Sequence, residues 1–266
     1  MIRHRGQPVD ANLLAAVRRI AEDAGAAILD VYEGRVAADL RQKADRTPVT
    51  AADEAAETLI LAALRDLTPD IPVISEEAAE AGALPDISGD RFWLVDPLDG
   101  TKEFLQRNGE FTVNIALIVA GRPVAGVVHA PALRKTWLGV DAGMAYIAEG
   151  DRPPKPIHTR PQPAAGAVVA ISRRHGDAAA MDAFLAGIKI GGRVAAGSSL
   201  KFCLLAGGQA DLYPRFGRTM EWDTAAGHAV LLAAGGRVDR ADDGMPLTYG
   251  KPGFENPPFI ARGQAT

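Results

Sequence analysis

The stretch Arg91–Phe104, RFWLVDPLDGTKEF, runs a buried-looking strand straight into a cluster of charge. Phe92–Val95 is a continuous apolar run of the kind that goes inside a sheet. The strand is predicted to end at Asp96, because Pro97 has no N–H with which to continue the ladder. Pro97 turns the chain, so Asp96 and Asp99 converge with the carbonyl of Leu98 between them, three oxygen donors in four residues. Hard oxygen donors of this kind suit Mg²⁺, which shares its shell with water and substrate phosphate. Gly100 and Thr101 then open the helical pattern TKEFLQR, whose free N–H groups would form an anion site beside the metal. The same residues also have plainer readings: Asp-Gly is an ordinary turn signal, and Asp96 could cap TKEF. An EF-hand fragment does not fit, since DPLDGT lacks the alternating ligand spacing and the late glutamate.

On the N-terminal side, ANLLAAVRRIAEDAGAAILDVYEG carries apolar residues at helical spacing and stops at Gly34. TPVTAADEAAETLILAALRDLTPD reads as a short extended piece, a cap at Thr50 and a helix ending near Asp66, followed by the strand IPVIS, which runs into Glu76 and Glu77. On the C-terminal side, FTVNIALIVAGRPVAGVVHAP reads as two strands joined at GRP, and KTWLGVDAGMAYIAEG as a further hairpin. The proline-rich run GDRPPKPIHTRPQPAAG is the candidate link between an N-terminal half, residues 1–150, and a C-terminal half, residues 151–266. Beyond it strands (AVVAIS, GRVAA, ADLYPRF, RVD) alternate with helices (DAAAMDAFLAGI, LKFCLLAGG, DTAAGHAVLLAAGG). That alternation predicts an α/β protein, a layered sheet sandwiched by helices.

With 266 residues, 47% of them hydrophobic, the chain can bury a full core. Its single cysteine, Cys203, rules out an internal disulfide and any zinc site built from paired cysteines. The pattern LKFCLLA gives Cys203 a place in core packing. No apolar run reaches membrane-spanning length and the N-terminus does not read as a signal peptide, so the expectation is a soluble, cytoplasmic protein. A net charge of −4 offers no broad basic footprint for a nucleic-acid polymer, but a small phosphate compound remains open because bound cations can invert local charge.

Four acidic residues stand at the edges of regular elements: Glu76 after IPVIS, Asp96 and Asp99 around the turn, and Asp223 at the head of DTAAGHAVLLAAGG. Asp223 alone would pass for a helix N-cap, and Thr50 with Asp53 resembles a capping box.

Together, TPVTAADE, VISEE, WLVDPLDGTKEF, NGEFTVNIALI, GSSLKFCLLAGGQADLYPRFG and EWDTAAGHAV resemble the inositol monophosphatase superfamily. Lys102 and Glu103 after Thr101, then NGEFTVNIALI, are similar to its CysQ-type 3′(2′),5′-bisphosphate nucleotidases. The resemblance runs from about Thr47 to Asp239 and is weakest in the first forty or so residues, in the proline-rich segment and in KIGGRVAAG.

The resemblance implies a layered αβαβα sandwich and two or three Mg²⁺ ions held by Glu76, Asp96, the Leu98 carbonyl, Asp99 and Asp223. Asp53 and Thr101 match positions that, with Glu76, orient and activate the attacking water. Gly100 and Thr101 lie on the phosphate side, Ser198, Ser199, Lys201 and Arg215 match the 5′-phosphate side of the nucleotide, and His175 the adenine side. For GSSLK the competing account is a simple helix cap with a solvated lysine, and for His175 a surface loop histidine. The implied reaction removes the 3′-phosphate from adenosine 3′,5′-bisphosphate, with 3′-phosphoadenylyl sulfate as a further substrate. Sensitivity to Li⁺ and a link to sulfate assimilation come with the resemblance. Some relatives are peripheral to the inner membrane, but nothing in this chain resembles an anchor. The competing readings are an inositol or sugar monophosphatase, an inactive nucleotide- or metal-binding protein, and a Ca²⁺-binding module.

Overall fold

The computed structural model describes residues 11–35, 41–42, 48–49, 51–140, 143–173 and 177–264, with the backbone alone at 41–42 and 48–49. The predicted cap at Thr50, and His175, expected on the adenine side, lie outside these residues.

Two helices lead, α1 (Ala11–Tyr32) and α2 (Ala51–Leu67), with the short strands β1 (Arg41–Gln42) and β2 (Pro48–Val49) between them. Then follow β3 (Val73–Ser75), α3 (Glu76–Glu80), β4 (Arg91–Asp99), α4 (Thr101–Leu105), β5 (Thr112–Val119), β6 (Arg122–Ala130), β7 (Lys135–Val140), β8 (Met144–Glu149) and β9 (Lys155–Pro156). The C-terminal part holds β10 (Ala167–Ile171), α5 (Ala178–Leu185), β11 (Ile190–Ala195), α6 (Leu200–Ala206), β12 (Leu212–Arg215), β13 (Thr219–Met220), α7 (Glu221–Ala233), β14 (Arg237–Arg240), β15 (Glu255–Asn256) and β16 (Phe259–Arg262).

Strands β3 to β9 form a seven-stranded sheet in sequence order, parallel between β3 and β4 and antiparallel elsewhere. A five-stranded sheet has the order β11-β10-β12-β16-β14. The alternation of side chains in the first sheet explains its layers, because successive residues of a strand face opposite sides. Trp93, Val95, Val113, Ile115 and Leu117 face a core shared with Leu14, Val17, Ile20 and Ala24 of α1 and Ala56, Ile60 and Leu64 of α2. Phe92, Leu94, Ala116 and Ile118 face a second core built with α6, α7 and the inner face of the five-stranded sheet. Val169, Leu185, Leu212 and Ile260 form a third, where α5 covers the outer face. The layers therefore run helix, sheet, helix, sheet, helix, in agreement with the expected sandwich. Burial on both faces is why FWLV shows no alternation of its own.

Helix α7 rests on two glycines of the first sheet. A Cβ on Gly126 would stand 2.5 Å from the Ala226 carbonyl oxygen, and one on Gly139 would stand 2.6 Å from the Val230 Cα. Close approach of helix and strands depends on those absent side chains. The proline-rich segment is not bare linker: β9 adds to the edge of the first sheet, and Arg160 holds Asp211 with bonds of 2.9 and 3.1 Å. The sequence reading missed β16, which pairs with both β12 and β14. No described helix is long and apolar enough to cross a membrane.

Candidate active site

Strand β4 does not stop at Asp96 as expected but continues to Asp99. Asp96 pairs with Asn114 and Asp99 with Thr112, so three steps on β4 oppose two on β5, which is a β-bulge. Pro97 is tolerated there because a bulge needs no ladder N–H from it. The extra residue has a chemical consequence. Asn114 and Thr112 are two apart and share a face, so their partners Asp96 and Asp99 share one too, whereas an unbulged strand would send them to opposite faces.

Asp96 is buried, and its Oδ1 accepts from the Leu98 N–H at 3.1 Å. The Leu98 side chain itself is sealed in the core beneath α1 and α2. Glu76 opens α3, directly after β3. The start of that helix is fixed by Glu57, whose carboxylate accepts from the Ser75 hydroxyl and, at 3.2 Å, from the Ala78 N–H. Asp223 is the third residue of α7 rather than its cap: its Oδ2 accepts from the Met220 N–H at 2.8 Å, the return half of a capping box. Carboxylate oxygens of Glu76, Asp96 and Asp223 lie within 4.8 Å of one another. Asp53 is buried in the first turn of α2, and Thr101 is the first residue of α4, after Gly100 in a left-handed conformation with φ of 92°.

Carboxylates this close, with Asp96 buried and Glu76 and Asp223 half-buried, cannot all ionise without a cation. Burial, then the charges of Glu76, Asp99, Asp223 and Asp53, hold Asp96 well above the ordinary aspartate range. Burial and then Asp99 and Glu76 do the same for Asp223. Asp99 is raised to about 6, chiefly by burial, despite the opposing pull of Lys201 and its bonds from Asn114 and Ser199. A crowd of oxygen donors destabilised by its own charge fits divalent metal ions, which supply the missing positive charge.

Asp99 also ties β4 to the turn that leads into α6. Its Oδ2 accepts from the Ser199 N–H at 2.7 Å and from the Asn114 side chain at 3.3 Å, and its carbonyl accepts from the Ser198 hydroxyl at 2.9 Å. The Ser198 hydroxyl is also within 2.8 Å of the Glu110 carbonyl, while the Ser199 hydroxyl donates to Asn114 at 2.7 Å. Both serine side chains are thus engaged with protein, locking the Gly197–Ser199 turn onto the carboxylate cluster. Gly100 permits that contact, for a Cβ there would stand 2.2 Å from the Ser198 Oγ.

Lys201 is not the solvated lysine of the simple-cap reading. It is buried, its Nζ donates to the Ala196 and Ser198 carbonyls and lies 5.3 Å from the Tyr213 ring centroid. Burial lowers its pKa to about 8, which leaves it mostly charged at neutral pH. Arg215 donates to the Ser172 hydroxyl at 3.0 Å and to the Arg218 carbonyl at 3.1 Å. Cys203 is buried in the core, as expected.

Two lobes of one cleft meet at Asp99, Lys102, Glu103, Arg215 and Asp223. One, of about 610 Å³, contains Glu76, Thr101, Trp222 and Phe254; the other, of about 290 Å³, contains Arg173, Ser198, Lys201 and Tyr213. Sequence reasoning missed Glu103, Glu110, Asn114 and Arg173. NGEFTVN held the signal for two of them, since a polar Glu110 just before a buried strand and an Asn114 within it call for partners.

Comparison with known proteins places the chain among its relatives. The 3′(2′),5′-bisphosphate nucleotidase CysQ of Escherichia coli strain K12 is 50% identical over 249 residues, covering 93% of this chain and 98% of that protein. The crystal structure of CysQ from Bacteroides thetaiotaomicron, described as a bacterial member of the inositol monophosphatase family, superposes with a TM-score of 0.79 at 36% identity, covering 98% of this chain and 100% of that one. An inositol monophosphatase from Anabaena shares the fold, with a TM-score of 0.75 at 24% identity, covering 95% and 91%. The inositol monophosphatase family profile matches residues 10–262, and the chain belongs to that family.

Proposed function

We propose that the protein is a Mg²⁺-dependent 3′(2′),5′-bisphosphate nucleotidase, removing the 3′-phosphate of adenosine 3′,5′-bisphosphate to give AMP and phosphate. The observation that carries the reading is the pairing, in one cleft, of a carboxylate cluster with a separate lobe holding buried Lys201 and Arg215. A monophosphate needs only the first, whereas a substrate with a second phosphate uses both. The nucleotidase activity named for the 50% identical relative supports the same choice.

Glu76, Asp96, Asp99 and Asp223, with the Leu98 carbonyl, would hold the cations. Bound there, Mg²⁺ supplies positive charge to phosphate oxygens and acidifies water. Asp53, in the first turn of α2, and Thr101, the first residue of α4, would orient the attacking water. Hydrolysis by such a water needs no covalent intermediate, and Cys203, sealed in the core, takes no part. Lys201 and Arg215 anchor the 5′-phosphate, which holds the 3′-phosphate against the cluster and converts remote binding into alignment.

Phosphate release from purified protein tests this, with adenosine 3′,5′-bisphosphate and inositol 1-phosphate in parallel, under Mg²⁺, under chelator, and under Mg²⁺ with Li⁺. Preference for the nucleotide, lost with chelator and suppressed by Li⁺, is expected. Release mainly from inositol phosphate would overturn the assignment of the second lobe, and release from neither would overturn the enzyme itself.

A further inference from the structure

Glu110, in the loop between α4 and β5, makes a contact across the two halves that the activity described above does not use. Its carboxylate accepts from the Gly197 N–H at 2.8 Å. It also takes Arg173 side-on, from Nε at 2.6 Å and Nη2 at 2.5 Å. The Glu110 side chain is 17% exposed and the Arg173 side chain 46%. A carboxylate fixed by a backbone amide as well as by a fork has one orientation, unlike an isolated surface pair.

A guanidinium carries five N–H donors in a rigid plane. Held along its Nε–Nη2 edge, Arg173 keeps Nη1 and the second Nη2 hydrogen, and these have no hydrogen-bond partner among the described residues. That open edge belongs to a side chain lining the smaller lobe beside Lys201 and Arg215. The two neighbours are more committed: Lys201 is bonded to two carbonyls and Arg215 gives a hydrogen from each Nη to protein. Asp99, Glu103 and Asp223 line the same lobe, so a dianionic group entering it needs a cation with donors to spare.

We propose that Arg173 is a specificity-determining contact for the second, non-reacting phosphate of the substrate, and that Glu110 is the positioning residue that presents it while fixing the Gly197 amide. The inference rests on the bisphosphate reading of the site. Arginine suits the task because it can hold a carboxylate on one edge and a phosphate on another at the same time, which an ammonium cannot do as a planar fork.

The test compares kcat and KM for adenosine 3′,5′-bisphosphate and adenosine 3′-monophosphate in the Mg²⁺-loaded wild type, Arg173→Ala, Arg173→Lys and Glu110→Gln, with AMP binding measured by calorimetry. Arg173→Ala is expected to lower the bisphosphate-over-monophosphate preference about tenfold, through KM rather than kcat, and to weaken AMP binding by a similar factor. Arg173→Lys restores part of the preference. Glu110→Gln shifts it in the same direction by less, because the amide still accepts one bond from the fork. A preference in Arg173→Ala equal to that of the wild type would overturn the proposal, as would equal losses on both substrates. If Arg173→Ala fails to fold, the preference and AMP affinity of Arg173→Lys decide between the same two outcomes. A wild type that releases no phosphate from the bisphosphate removes the parent reading; one that does so, with the preference untouched by either arginine variant, removes only the role of Arg173.

Discussion

Replacing Asp99 by asparagine should make the metal-free protein more stable while destroying its turnover. Asp99 moves from an ordinary aspartate value of 3.8 to about 6 in the fold, mainly through burial. A raised acid binds its proton more tightly in the folded than in the unfolded chain, so the associated stability is whole below pH 3.8 and is lost as pH rises to about 6. At about 1.4 kcal/mol per tenfold change, the ionised carboxylate costs the folded state about 2–3 kcal/mol at pH 7.5. Asparagine removes the charge but keeps an oxygen for the Ser199 N–H, so Asp99→Asn should recover most of that sum. In denaturant titrations with chelator at pH 7.5, the variant should unfold later than wild type by about 2 kcal/mol, by about half as much at pH 5, and by almost nothing near pH 4. With millimolar Mg²⁺ the order reverses, because cations that bind only the folded chain stabilise the wild type more. Phosphate release by the variant should fall at least a hundredfold, roughly the loss expected on removing a charged group from a reaction centre. A variant less stable than wild type in chelator at pH 7.5 would refute the reasoning, since the carboxylate crowd would then not be held under electrostatic strain.

Three further outcomes follow from the packing. Glu221 is fully buried and accepts from the Gly250 and Lys251 N–H groups at 2.7 and 3.0 Å and pairs with the Lys251 ammonium at 2.6 Å, so Glu221→Ala should cost about 3 kcal/mol in urea unfolding. Gly126→Ala should wedge α7 off the first sheet, lowering stability by about 2 kcal/mol and also turnover, since Asp223 rides on that helix; unaltered thermal unfolding would count against the close contact at 2.5 Å. Cys203→Ser puts an extra hydroxyl in a buried place at a cost of about 1–2 kcal/mol, and kcat of the folded variant should stay that of wild type, because the thiol faces no substrate.

The alternating strands and helices, the acidic element edges and the glycine at Gly100 were legible because each is local: period, turn chemistry and charge can be read within a few residues. The distance between Glu76, Asp96 and Asp223 was not, because it depends on three separated elements meeting. Even DPLDGT was misread in its backbone. A proline after a strand looks like an end, and only the pairing of Asp96 with Asn114 and Asp99 with Thr112 reveals the bulge that turns both carboxylates to one side. The serines of GSS show the same limit. Taken alone they suggest hydroxyls offered to phosphate, yet Ser198 reaches the carbonyls of Asp99 and Glu110 and Ser199 reaches Asn114, partners 85 to 99 residues away. Polar groups that bind each other over such distances do positional work: they fix the turn that Lys201 follows. If Lys201 holds the second phosphate as proposed, those bonds set how far it stands from the one that reacts, and substrate choice would depend on them as much as on the groups that line the cleft.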